Sequence, residues 1–97
     1  DIGKSNLLAG DSSSEQRLAA FLLLLSARYA ARGFSPSRFL LTMSRTDIAN
    51  HLRLAPETVS RIIRRFSSEG LIDIRQRDVQ LLDRERLAAM ARPILRD

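Results

Sequence analysis

Glu57, Ser60, Arg61 and Arg64 recur at helical spacing within Pro56 to Ser67. Residues three and four apart on a helix share one face. Their types are those that reach base edges and phosphates. A guanidinium can fork onto guanine O6 and N7 or onto a phosphate, and a carboxylate can accept from a cytosine amino group. A serine is short enough to lie against a base. On the other side, Val59, Ile62, Ile63 and Phe66 follow an i, i+3, i+4, i+7 pattern and make an apolar stripe. A helix fastened by that stripe, with Arg, Glu and Ser outward, suits the DNA major groove. An ordinary amphipathic surface helix has the same periodicity, so the surrounding elements decide between the two.

Those elements fit a reading helix. Ser44 to Phe66, SRTDIANHLRLAPETVSRIIRRF, reads as two short helices joined by a tight turn at Arg53-Leu54-Ala55. Ser44 is the N-cap of the first, with Asp47 three residues on as a weak capping box. Ile48, Ala49 and Leu52 face inward. Pro56 suits the first position of the second helix, where its missing N–H costs nothing, although Ala55 is a poor N-cap. Gly70 ends that helix. Leu71 to Ile74 and Val79 to Leu82 then read as two short strands, with Arg75-Gln76-Arg77-Asp78 as the hairpin tip. Arg75 and Arg77 there are candidate phosphate contacts, or a solvated charged tip.

Upstream, residues 1–11 read as a linker or the stub of a preceding helix, and residues 12–97 as the domain. Ser12 is a candidate N-cap with Glu15 at the capping-box position. The helix then spans about Ser14 to Arg32, with a stripe of Leu18, Phe21, Leu22, Leu25 and Tyr29 widened by Leu23 and Leu24. Such a helix packs on more than one surface, inside the domain or against a neighbour. Gly33 stops it, and Ser37 to Met43 is short and extended. Asp83 caps a last helix that Pro93 ends, with Leu87, Met90 and Ala91 inward. The order is helix, strand, helix-turn-helix, hairpin. It is mainly α with a small β-hairpin, a winged helix-turn-helix. The expected core joins Leu18, Phe21, Leu22, Leu25, Ile48, Leu52, Val59, Ile62, Ile63 and Phe66.

Composition narrows the function. Ninety-seven residues suffice for one modest core. The net charge of +5 favours a polyanionic partner. Thr58 to Ser68 holds three arginines and no acid, which places part of that charge on the proposed reading helix. Fifteen of the sixteen basic residues are Arg, which suits phosphate and guanine recognition but would also follow from codon bias. With no cysteine there is neither a disulfide framework nor a thiolate metal site, in keeping with a cytoplasmic protein. The apolar run Leu18 to Leu25 is too short for a membrane span. No membrane partner is expected, and no cofactor within this chain. The chain begins at Asp1 and is read as a piece of a longer protein.

The stretch TDIANHLRLAPETVSRIIRRF followed by SSEGLI resembles the DNA-binding domain of the Crp/Fnr transcription regulators. Ala49, Ile48, Leu52, Leu54, Val59, Ile62 and the trailing Glu69-Gly70-Leu71-Ile72 match in place. The preceding LSARYAARGFSPSRFLLTMSRTDIANHL is similar to the Fnr branch, so the likeness covers about residues 15 to 90. The set Glu57, Ser60 and Arg61 points to that branch. The catabolite-activator branch carries Arg where this chain has Pro56, and usually Gly where it has Ser60. Arg53 departs from the pattern, since the turn commonly has Gly. The resemblance implies base contacts by Glu57, Ser60 and Arg61 to a TTGAT-like half-site, with residues 56–67 in the major groove. The candidate phosphate contacts, read from residue type and placement, are Ser44, Arg45, Arg64, Arg75 and Arg77. The partners implied by the resemblance are double-stranded DNA, a second copy paired through an upstream helix, and RNA polymerase. An upstream β-barrel would sense the effector, and its cofactor, an iron–sulfur cluster in oxygen-sensing members, is left open.

Other readings have less support. Catalysis needs converging nucleophile, base, carboxylate pair or metal ligands. His51 is the single histidine and reads as an exposed residue, or else as a phosphate donor or pH sensor. Asp73, Asp78, Asp83 and Glu85 read as hairpin and cap residues rather than a cation site. The alternatives are a winged helix of another bacterial regulator class, to which only Pro36-Ser37-Arg38 bears a superficial likeness, or one used for protein contact.

Overall fold

The computed structural model describes the backbone of residues 2–95 and the side chains of residues 13–94. Its elements are α1 (Ile2–Ala31), β1 (Arg38–Leu40), α2 (Arg45–Leu52), α3 (Pro56–Ser68), β2 (Ile72–Arg75), β3 (Asp78–Leu81) and α4 (Arg84–Leu95). This is a winged helix-turn-helix. The helix expected from Ser14 begins instead at Ile2. Ser12 to Ser14 lie inside it, so no capping box forms there, and Glu15 has another role. The side chains of residues 2–12 lie outside the described residues, and with them the reading of residues 1–11 as linker or stub.

Three of the helices end the same way. After α1, Phe34 N–H donates to Tyr29 O and Gly33 N–H to Ala30 O. After α2, Leu54 N–H donates to Ala49 O and Arg53 N–H to Asn50 O. After α3, Leu71 N–H donates to Phe66 O and Gly70 N–H to Ser67 O. Each is a Schellman motif, whose pivotal residue takes left-handed backbone angles. Gly33 (φ +89°) and Gly70 (φ +75°) adopt them without a Cβ penalty. Arg53 holds the same place at φ 60°, ψ 46°. The turn therefore keeps its expected geometry, with backbone strain where a glycine would have none.

The wing is a three-stranded antiparallel sheet in the order β1-β3-β2. The strand expected before the helix-turn-helix forms as β1 and joins the hairpin, pairing Phe39 with Val79. Strand alternation then sorts the faces. Phe39, Ile72, Val79 and Leu81 are buried inward, and Arg38, Asp73, Arg75, Asp78 and Gln80 point outward. Because Arg75 pairs with Asp78, the loop is only Gln76-Arg77. The expected four-residue tip is thus two residues long, and Arg75 belongs to a strand. Gln76 takes φ 60°, as the first residue of a tight hairpin loop often must.

The core forms where expected and extends further. Leu18, Phe21, Leu22, Ile48, Val59, Ile62, Ile63 and Phe66 are buried together, with Leu25 and Leu52 partly buried against them. The sheet and α4 add Phe39, Leu41, Leu71, Ile72, Val79, Leu81, Leu87 and Ala91. Leu24 is 54% exposed and does not widen the stripe. Asp83 caps α4 by accepting from Arg86 N–H at 3.1 Å. Pro93 does not end α4, which continues to Leu95. A proline in the last turn blocks few further hydrogen bonds, so the helix tolerates it there.

Candidate nucleic-acid interface

The helix-turn-helix is positioned from three sides. At the start of α2, Ser44 Oγ accepts from Asp47 N–H at 3.0 Å, the expected cap. At its end, Arg17 of α1 donates from Nη1 to Leu52 O at 3.2 Å, supplying a donor that a helix C-terminus lacks. α3 starts at Ala55 with no side-chain cap bond, and Pro56 opens its first turn. Val59, Ile62, Ile63 and Phe66 are all buried. That stripe fixes which residues α3 can show outward.

The outward residues are those the spacing selects. Glu57, Arg61 and Arg64 are exposed and Ser60 is half-buried. Arg65, next along, is engaged elsewhere. It donates to Glu15 Oε2 of α1 at 2.7 Å and to Glu69 Oε2 at 3.2 Å, and Arg86 of α4 reaches Glu69 Oε1 at 3.4 Å. This network ties the end of α3 to α1 and α4. The Arg65–Glu69 part is legible as an i, i+4 pair. The Glu15–Arg65 part spans fifty residues and has no local signal.

The proposed phosphate residues fall on the helix-turn-helix and the wing. Ser44 is exposed and Arg45 half-buried at the start of α2, and Arg64 is exposed on α3. Arg75 and Arg77 are exposed on the wing. Arg75 Nε lies 3.7 Å from Asp73 Oδ2 with its side chain 83% exposed, a loose pair of little energetic weight. Arg38 clasps Asp78 through two bonds of 2.7 and 3.2 Å. That hydrogen bonding and charge hold the Asp78 carboxyl below the usual carboxylate range and raise the Arg38 pKa. Two arginines and two aspartates thus balance on the outer face of the sheet, leaving the turn residue Arg77 as the wing cation beyond that network. His51 is exposed, its ring 5.6 Å from that of Phe21. Among the described residues no cluster of His, Cys, Asp or Glu could hold a metal ion.

The sequence pattern of the Crp-like helix-turn-helix domain matches residues 16–90. The chain belongs to the Crp/Fnr family. The transcriptional regulatory protein btr of Bordetella pertussis is 61% identical over 74 residues, covering 76% of this chain and 31% of that protein. The transcriptional activator protein FnrA of Stutzerimonas stutzeri is 47% identical over 85 residues, covering 88% of this chain and 35% of that one. Among solved structures, FixK2 from Bradyrhizobium japonicum superposes with a TM-score of 0.71 at 32% identity, over 79% of this chain and 37% of that one. DNR from Pseudomonas aeruginosa gives 0.70 at 32% identity, over 92% and 37%. The catabolite activator protein of Thermus thermophilus, at 21% identity and a TM-score of 0.69, shares the fold. This chain spans about a third of the curated relatives' length. It is a DNA-binding domain of Crp/Fnr transcription regulators, which are not enzymes. Among the described residues, no helix is long and apolar enough to cross a membrane.

Proposed function

We propose that this domain lays α3 in the major groove and reads a TTGAT-like half-site, with Arg61 forked onto the single guanine. Glu57 accepts from a cytosine amino group on the paired strand, and Ser60 lies against a base. Ser44, Arg45, Arg64, Arg75 and Arg77 hold the backbone, adding affinity but little sequence information. One observation carries the reading. The four apolar residues of α3 are buried, so Glu57, Arg61 and Arg64 are left exposed on its far side. In the whole protein, residues 1–11 would continue from the helix that pairs two copies. Two domains would then meet half-sites about 34 Å apart in the cytoplasm, within reach of RNA polymerase.

Competition binding against duplexes varied at each base of the half-site tests this. Arg61→Ala is expected to cost about 1–3 kcal/mol and to relax the preference at the guanine. Arg64→Ala should weaken all duplexes alike and lower the salt slope by about 1. An unchanged preference at the guanine after Arg61→Ala overturns the assignment. Binding that ignores salt removes the phosphate footprint and favours a protein-contact winged helix.

A further inference from the structure

A single turn of α1 takes hold of both helices of the helix-turn-helix. Arg17 donates to the terminal carbonyl of α2, at Leu52, over 3.2 Å. Two residues earlier, Glu15 accepts from Arg65 of α3 over 2.7 Å. Leu18 follows immediately and is fully buried. The Glu15 side chain is only 17% exposed while that of Arg65 is 58% exposed, so the acid is shielded and the guanidinium reaches it from the solvent side. Arg65 stands four residues beyond Arg61, one turn along the same helix.

The apolar stripe and the ion pair do different things. Burial of Val59, Ile62, Ile63 and Phe66 holds α3 on the core, but apolar attraction is non-directional. A charge-assisted hydrogen bond has a preferred direction and resists rotation of the helix about its own axis. Rotation matters at the reading face. At a helix radius of about 5–6 Å, a roll of roughly 20° carries an outward side chain about 2 Å. Such a shift breaks a forked contact to guanine, whose two bonds need lengths near 3 Å.

We propose that Glu15 is a positioning residue for the reading face: by holding Arg65 it sets the roll of α3 against α1, and so where Arg61 arrives in the groove. The proposal rests on the reading of α3 as the base-contacting helix. It makes a prediction that charge alone contradicts. Glu15→Gln removes an acid and by electrostatics tightens binding to every duplex. Arg65→Gln removes a base and weakens binding to every duplex. Under the positioning role both lower the same quantity, the ratio of affinity for the TTGAT duplex to that for its guanine-substituted version, by about two- to fivefold.

The test combines that ratio with a direct measure of helix placement. The chain has no cysteine, so Ala27→Cys on α1 and Ser67→Cys on α3, both exposed, give two unique spin-label sites. Glu15→Gln and Arg65→Gln are each expected to broaden the label-to-label distance distribution and to lower the ratio. The double variant should be no worse than Arg65→Gln alone, because Arg65→Gln already removes the shared contact together with its bond to Glu69. Arg86→Ala removes the same charge as Arg65→Gln but leaves the Glu15–Arg65 bond in place, its own bond being to Glu69. Its effect on ratio and distribution should therefore be smaller than that of Arg65→Gln, and thermal melts identify any variant that fails to fold. Unchanged distance distributions in folded Glu15→Gln and Arg65→Gln overturn the proposal. If the unsubstituted chain does not prefer TTGAT over the altered duplex, the base-reading assignment fails, and the distances alone still decide the role of Glu15.

Discussion

Replacing Arg53 by glycine should stabilise the domain. Arg53 holds φ 60°, ψ 46° at the pivot of the turn between α2 and α3. The equivalent pivots after α1 and α3 are Gly33 and Gly70. A residue with a Cβ is disfavoured in left-handed geometry by about 1–2 kcal/mol. Glycine removes that strain but raises the entropy of the unfolded chain, which offsets about 0.5–1 kcal/mol. The difference leaves a gain of about 0.5–1 kcal/mol, a rise of a few degrees in Tm for a domain of this size. The Arg53 side chain is exposed, so little packing is lost with it. Arg53→Ala isolates the backbone contribution, because alanine keeps the Cβ and should be close to neutral. Arg53→Val should be the worst of the three, since a branched side chain tolerates this geometry poorly. Urea unfolding of the three variants, read at constant m, gives the comparison. A glycine variant less stable than the alanine one would refute the strain argument.

Other expectations follow from the caps and the wing. Ala55→Ser supplies the N-cap acceptor that α3 lacks and should add about 0.5–2 kcal/mol in the same urea assay, whereas no gain would mean that the α3 N–H groups are already satisfied. Asp78 is held below the ordinary carboxylate range by its bond from Arg38, so its contribution is present above the unfolded-state pKa and is lost as pH falls through the folded one. Asp78→Asn should therefore flatten the stability curve below about pH 4 and change it little in shape above that, and superimposable acid limbs would refute the pairing.

Much of the site is legible in the residues themselves, because the rules involved act over one or two helical turns. The buried stripe Val59, Ile62, Ile63, Phe66 and the outward set Glu57, Arg61, Arg64 follow from 3.6-residue periodicity alone. The caps at Ser44 and Asp83 and the stops at Gly33 and Gly70 are likewise local, since each uses a side-chain oxygen or a missing Cβ within a few residues of the helix end. Where local signals mislead, a competing term prevails. Ser12 has a capping hydroxyl, but the helix runs through it, and Pro93 is a breaker that a last turn can absorb.

Tertiary structure alone decides the contacts between residues far apart in the chain. The strand expected within Ser37 to Met43 is only Arg38–Leu40, and what pairs it into the wing is the edge of β3 beside it. That pairing places Arg38 against Asp78 and draws the wing's outer charges into balance, which composition, a net +5, conceals. Arg53 adopts a glycine's backbone because the packing of α2 on α3 outweighs its own preference. Arg61, Arg64 and Arg65 are chemically alike in the sequence. Only the arrival of Glu15 beside Arg65 turns that residue into a brace for α3, because an ion pair depends on distance in space and leaves no periodic trace along the chain.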